Sequence, residues 1–170
     1  MSAGKGRMAI VVMGVAGSGK TSVGEEMGRR LGVRFRDADE FHPPANIAKM
    51  SAGIPLNDDD RWPWLDAIGR AIHDAAPEGI VVACSALKRA YRDRIVKAAG
   101  HPVEFVFLDG SVETLRERIG NRRGHFMPPS LLDSQLATLE RPAADERAVT
   151  VSIDVPVGEV VTRALAALGQ

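Results

Sequence analysis

Short apolar runs alternate along this chain with longer segments whose apolar residues recur every three to four positions. Met8–Met13 and Ile80–Cys84 are continuously apolar, as strands buried on both faces of a sheet are. Val33-Arg34-Phe35-Arg36-Asp37 alternates apolar and polar, and Val103–Leu108 and Val149–Ile153 complete a set of strands. Helices are predicted between them. Gly19–Leu31 carries Val23, Met27 and Leu31 on one face and stops at Gly32. A short helix spans Ala45–Ala52, between His42-Pro43-Pro44 and the turn Gly53-Ile54-Pro55. A longer one opens at Asn57-Asp58-Asp59-Asp60 and runs to about Ala76, with Trp62, Leu65, Ile68 (or Gly69) and Ile72 inward. A basic helix follows Lys88 and ends near Ala99. Ser111 caps another that reaches Ile119, and Ser130–Leu139 and a C-terminal helix with Val160, Val161, Ala164, Leu165 and Leu168 inward close the series. Strand–helix alternation of this kind predicts an α/β fold of three layers: a five-stranded parallel sheet, helices on both faces and right-handed crossovers.

At 170 residues the chain predicts a single domain able to bury its own core. Lys and Arg number 22 and Asp and Glu 22, so no overall basic field is present to hold nucleic acid. One cysteine, Cys84, excludes an internal disulfide and is read as a strand residue, with no neighbour in sequence to activate it. No apolar run approaches the roughly 20 residues that span a bilayer. Met1–Arg7 reads as a loose tail, and the cytoplasm is the expected location.

Chemistry enters at the end of the first strand. Gly14-Val15-Ala16-Gly17-Ser18-Gly19-Lys20-Thr21 fits G-x-x-x-x-G-K-[ST], the phosphate-binding loop, in the strand-to-helix setting that the mechanism requires. Glycines let successive N–H groups turn inward toward phosphate oxygens, and the helix start beyond them favours an anion. Lys20 supplies a charge for the β- and γ-phosphates, and Thr21 a hydroxyl for a magnesium ion. Asp37 and Asp39 end the second strand and, in an extended segment, would point the same way. The acidic run 57–60 has a plainer reading as a helix cap. Gly120–Pro129, basic and punctuated by Gly and Pro, reads either as a surface loop or as a lid bringing arginines onto phosphates.

A phosphate loop also serves GTPases and motor ATPases. No N-K-x-D stretch is present to read guanine, and the third strand ends in Ala83-Cys84-Ser85, without the acid of a motor. A small-molecule kinase fits best. The alternatives are a kinase for shikimate or a nucleoside monophosphate, and a non-catalytic nucleotide-binding regulatory protein.

Five segments sharpen this reading: GVAGSGKT, RDADEFHPPANIAKMSAGIPLNDDDRWPWL, CSALKRAYRD, RRGHF and LERPAADE. Together, in this order, they resemble the gluconate kinases over most of residues 8–154. The resemblance implies an adenylate-kinase-like P-loop kinase fold, ATP-dependent 6-phosphorylation of D-gluconate and a homodimer. It divides the domain into an acceptor-binding region at 37–76 and a lid at 120–135.

The residues then take roles. Gly14 to Thr21 hold the ATP phosphates. Thr21 and Asp37 are the expected Mg2+ partners, Asp37 through water. Asp39 meets the acceptor hydroxyl, either as general base or as a hydrogen-bond partner. Arg61 is the first choice for the gluconate carboxylate, since a guanidinium binds one bidentately, with Lys49, Lys88 and Arg92 as rivals. His42, Asn46 and Ser85 are candidate hydroxyl partners. In the lid, Arg122 and Arg123 are candidates for stabilising the transferring phosphoryl group, with Arg118 and His125 behind them. Gln135 and Glu140 are expected on the acceptor side, and Asp154–Val157 near adenine. His73 and His101 read as surface or turn residues.

Overall fold

The computed structural model describes residues 8–120 and 129–170. Its elements are β1 (Ala9–Met13), α1 (Lys20–Leu31), β2 (Arg34–Asp37), a 3-10 turn (Ala38–Phe41), α2 (Pro44–Ser51), α3 (Asp58–Asp74), β3 (Ile80–Ala83), α4 (Arg89–Ala99), β4 (Glu104–Asp109), α5 (Val112–Gly120), α6 (Pro129–Thr138), β5 (Ala148–Ser152) and α7 (Val157–Ala167). The five strands form one parallel sheet in the order β2-β3-β1-β4-β5. The predicted α/β fold is therefore present, and the apolar runs that signalled central strands lie centrally: β1 is wholly buried between β3 and β4.

Alternate residues of each strand feed two cores. Val11, Met13, Val82 and Phe105 join Leu65, Ile68, Ile72 and Ile95 beneath α3 and α4. Ile10, Val12, Val81 and Val106 join Val23, Met27, Leu115, Val160 and Val161 on the other face. This is the period-2 logic of a strand applied to a sheet covered twice. Helix α3 lies close against α4 because Gly69 presents no side chain. A Cβ there would stand 2.4 Å from Ala98 Cβ and 2.7 Å from the Ile95 carbonyl oxygen.

The acidic run has the capping role. Asn57 Oδ1 accepts from the Asp60 N–H at 2.8 Å, and Asp60 Oδ2 accepts from the Asn57 N–H at 3.0 Å, a capping box. A second box begins at Asp37, where one departure from expectation lies. Asp37 does end β2, but Asp39 is not in an extended segment. Asp37 Oδ1 accepts from the Asp39 N–H at 2.9 Å, and the Glu40 carboxylate accepts from the Asp37 N–H at 3.0 Å, so the chain curls into the 3-10 turn. An Asp with Glu three residues later is a capping signal as well as an extended acidic stretch, and here capping prevails.

Candidate active site

The phosphate loop joins β1 to α1 at the carboxyl edge of the sheet. Gly17 and Gly19 take φ of 84° and 88°, the left-handed region that a side chain resists. Lys20 folds back over the loop, its Nζ donating to the Val15 carbonyl at 3.2 Å. The Ser18 side chain is buried inside the loop, its Oγ without a hydrogen-bond partner among the described residues.

A cavity of about 790 Å³ opens over this loop, within the size range of small-molecule sites. Gly17, Gly19, Lys20 and Thr21 form one part of its wall, and Asp37, Asp39, Trp64 and Ser85 another. Arg118, Leu131, Gln135 and Val157 also line it. The fold thus brings the ends of β1, β2 and β3 to one place, beside the central strand of a parallel sheet, where such sheets bind ligands.

Thr21 Oγ1 donates to Asp37 Oδ2 at 3.3 Å, so the two expected metal partners do meet. A hydroxyl and a carboxylate are hard oxygen donors of the kind magnesium accepts, and they leave further positions for phosphate oxygens and water. Asp39 stands beside them, its side chain open to the cavity. Desolvation in the cleft, and then the charge of Asp37, push its carboxyl above the usual carboxylate range. The indole of Trp64 lies behind it and donates Nε1–H to the Ala38 carbonyl at 2.7 Å, which fixes the turn that carries Asp39.

The other acceptor candidates divide. Ser85 lines the cavity. His42 lies behind Asp39, stacked on Trp64 with ring centroids 4.3 Å apart. Asn46 is buried and donates to the Asp60 carbonyl, and Lys49 is paired with Asp60 at 2.7 Å. Arg61 and Lys88 converge on one carboxylate, Asp58, at 3.3 and 3.6 Å. Both lie 5.6 Å from the centre of the Tyr91 ring, whose hydroxyl also donates to Asp58. One acid thus holds two cations at this corner, with Asp59 and Asp60 adjoining Arg61 in the chain.

Arg92 departs from expectation. Its side chain is 2% exposed and ion-paired to Glu146 at 2.6 Å. It also donates to the Ala86 and Glu140 carbonyls at 2.8 and 2.9 Å. A guanidinium so enclosed cannot reach a ligand. Its effect on the site is indirect: Ala86 holds a positive φ of 45°, strained for an alanine, and Arg92 clamps that residue's carbonyl in the loop that presents Ser85.

Glu140 is likewise a tie. Its side chain accepts from the Arg89 N–H at 3.1 Å, and its own N–H donates to Leu87. Gln135 lines the cavity as expected, but at the phosphate loop, where Oε1 accepts from the Ala16 N–H at 2.6 Å. The contact crosses 119 residues, and no local pattern announces it. Arg118 donates to the Ile153 carbonyl at 2.5 Å, beside the segment expected near adenine, and Val157 lines the cavity there. Burial pushes the Cys84 thiol up to about 12, consistent with an inert strand residue. Arg122, Arg123 and His125 lie outside the described residues.

A parallel sheet with β1 at its centre, a phosphate loop and an acid-lined cavity define a P-loop phosphotransferase. Comparison with known proteins agrees and narrows the class. A family model described as an AAA domain matches residues 10–142. Gluconokinase from Gluconobacter oxydans is 50% identical over 145 residues, covering 84% of this chain and 81% of that protein. The crystal structure of a gluconokinase from Sinorhizobium meliloti superposes with a TM-score of 0.87 at 53% identity, over 96% of this chain and 93% of the other. Shikimate kinase from Aquifex aeolicus shares the fold alone, with a TM-score of 0.60 at 19% identity over 95% and 96% of the two chains. The chain belongs to the gluconokinase family and is a P-loop kinase. Kinases of this class use ATP and generally a divalent metal.

Proposed function

We propose that this enzyme transfers the γ-phosphoryl group of ATP to the 6-hydroxyl of D-gluconate, forming 6-phospho-D-gluconate and ADP. Membership of the gluconokinase family supports the acceptor. The observation that carries the chemistry is the placement of Asp39 in one cavity with Lys20, Thr21 and Asp37. The loop from Gly14 to Thr21 cradles the phosphates. Lys20 neutralises charge as the phosphoryl group leaves ADP. Asp39 orients the acceptor hydroxyl and takes its proton as the bond to phosphorus forms. Mg2+, held by Thr21 and through water by Asp37, would neutralise charge on the phosphates when bound.

Phosphoryl transfer depends mainly on positioning and electrostatics, which rigid strand ends are suited to supply. The cations Arg61 and Lys88 support recognition of a carboxylate, with Ser85 toward the hydroxyls and His42 behind Asp39. Arg122 and Arg123 belong to the lid and act on the transferring group. The same reading makes the chain a single domain with its acceptor region at 37–76 and its lid at 120–135. It also includes a homodimer and a cytoplasmic location; among the described residues no helix is long and apolar enough to cross a membrane.

The deciding experiment is a coupled ADP-release assay across D-gluconate, shikimate and nucleoside monophosphates. Turnover stimulated by gluconate alone is expected. Equal or greater stimulation by shikimate or a monophosphate would overturn the acceptor assignment.

A further inference from the structure

Behind Asp39 stand two side chains, His42 and Asn46, whose proton positions follow from hydrogen-bond bookkeeping. Asn46 is buried, at 2% exposure. Its Nδ2 lies 2.9 Å from the carbonyl oxygen of Asp60. A carbonyl only accepts, so the amide nitrogen, not the amide oxygen, must face it. That same nitrogen lies 3.2 Å from Nδ1 of His42. A group with two N–H bonds and no lone pair to offer stands opposite Nδ1, so Nδ1 must be the acceptor. An imidazole with a bare Nδ1 is neutral and carries its proton on Nε2. Nε2 lies 4.0 Å from Asp39 Oδ1.

We infer that Asn46 is a positioning residue that holds His42 neutral in its Nε2–H tautomer, so that His42 turns an N–H and never a lone pair toward Asp39.

Other features of the pocket hold the ring in this state. The His42 side chain is 5% exposed and stacks on Trp64 at an interplanar angle of 11°, which fixes its plane. Protonating Nδ1 would set N–H against N–H at the Asn46 contact. Desolvation lowers the His42 pKa, and the nearby Arg61 charge adds to this, while Asp39 acts in the opposite direction. The amide of Asn46 is itself fixed at the start of α3, because the Asp60 it touches closes the Asn57 capping box and pairs with Lys49.

The consequence lies with Asp39. At 4.0 Å the N–H is too far to donate a hydrogen bond to Oδ1, but its positive end faces that oxygen and favours the carboxylate there, which leaves Oδ2 for the acceptor hydroxyl. The opposite tautomer would put two lone-pair-bearing groups face to face and turn the carboxylate away. Asn46 thus acts on the reaction without touching substrate. The proposal rests on the reading of Asp39 as the acceptor-facing carboxylate, but the tautomer itself can be measured without any acceptor.

The test begins with the unmodified enzyme. The chain has four histidines, so long-range 1H–15N correlation spectra can be assigned by single substitutions. At neutral pH the His42 pattern is expected to be that of a neutral ring protonated on Nε2. An Nδ1–H or doubly protonated ring would overturn the proposal, whatever the acceptor proves to be.

Kinetics supply the second arm. Asn46→Leu is expected to lower kcat about tenfold or more, as loss of an orienting partner does, with the KM for ATP unchanged. His42→Gln, whose amide N–H can stand in for Nε2–H, is expected to retain several times the kcat of His42→Ala. An Asn46→Leu enzyme with full kcat, or a His42→Gln enzyme no better than His42→Ala, would overturn the proposal. If Asn46→Leu fails to fold, the spectrum of the unmodified enzyme and the two His42 variants still decide it.

Discussion

Single residues in this chain show both how far type and spacing reach and where they stop. The loop lysine and threonine are named by their motif, and Thr21 meets Asp37 across 16 positions because a strand-to-strand crossover returns there. Arg92 shows the limit. In sequence it is one more cation beside Lys88; in the fold it is a buried partner of Glu146, 54 residues away. Nothing local distinguishes a ligand-binding arginine from a clamped one, because the distinction is made by a distant carboxylate and by burial.

Two predictions belong at this scale. Asp39→Asn keeps the shape but removes the charge and the proton acceptor, so kcat should fall by roughly 10²–10⁴ while the Kd for ATP, measured by calorimetry, hardly moves. Near-normal turnover would remove Asp39 from the chemistry. The second concerns Glu146, whose carboxyl is held below its ordinary range chiefly by its hydrogen bond from Arg92. A depressed folded-state pKa means stability that is fully present above the unfolded value of 4.5 and lost as pH falls through the lower folded value. Glu146→Gln should cost roughly 3 kcal/mol near neutrality, since it leaves a buried guanidinium without its counter-charge. It should also flatten the loss of stability below pH 4.5, as urea melts across that range would record.

At the scale of elements, the apolar periodicity placed every strand, and each helix it bounded, within about two residues, because each is driven by burial of a face that the pattern displays. The 3-10 turn after β2 was not legible. Asp37-Ala38-Asp39-Glu40 suits an extended end and a capped turn equally, and the choice is made by Trp64, which reaches the Ala38 carbonyl from α3. Ambiguity between Ile68 and Gly69 on the inner face of α3 has a similar origin. Both are buried, Ile68 by filling the core and Gly69 by admitting α4. A methyl at Gly69 would overlap Ala98 and the backbone of Ile95 and Ala99. Backbone cannot swing aside as a flexible side chain can. Gly69→Ala, otherwise favourable in a helix, should therefore destabilise by about 1–3 kcal/mol. A lowered Tm by calorimetry checks this, and a raised Tm would mean that α3 and α4 can slide apart at little cost.

At the scale of the molecule, alternation of strands and helices announced a parallel sheet but not the order β2-β3-β1-β4-β5, because lateral position is set by crossovers that leave no local mark. That order matters to function. It puts β2 and β3 on one side of the phosphate loop, so Asp37, Asp39 and Ser85 arrive from strand ends on a rigid frame. A frame of this kind orients the acceptor and one face of the phosphates well. Among the described residues, Lys20 and the loop amides bring positive potential to the phosphoryl group from β1 and α1, and Arg118 lines the cavity while donating to the Ile153 carbonyl. On the proposed reading, the lid residues Arg122 and Arg123, between α5 and α6 in the sequence, add to that charge neutralisation. Neighbouring side chains leave a backbone in different directions, so the two substitutions should be unequal. One of Arg122→Ala and Arg123→Ala should lower kcat by roughly 10³-fold or more, the scale of a cationic finger in phosphoryl transfer, with the KM for ATP little changed. The other should be mild. Steady-state kinetics of the two variants, in parallel and with saturating gluconate, separate the outcomes. Equal and small losses would place that added charge elsewhere in the chain, and a loss confined to the KM for ATP would make these arginines nucleotide-binding residues rather than stabilisers of the transferring group.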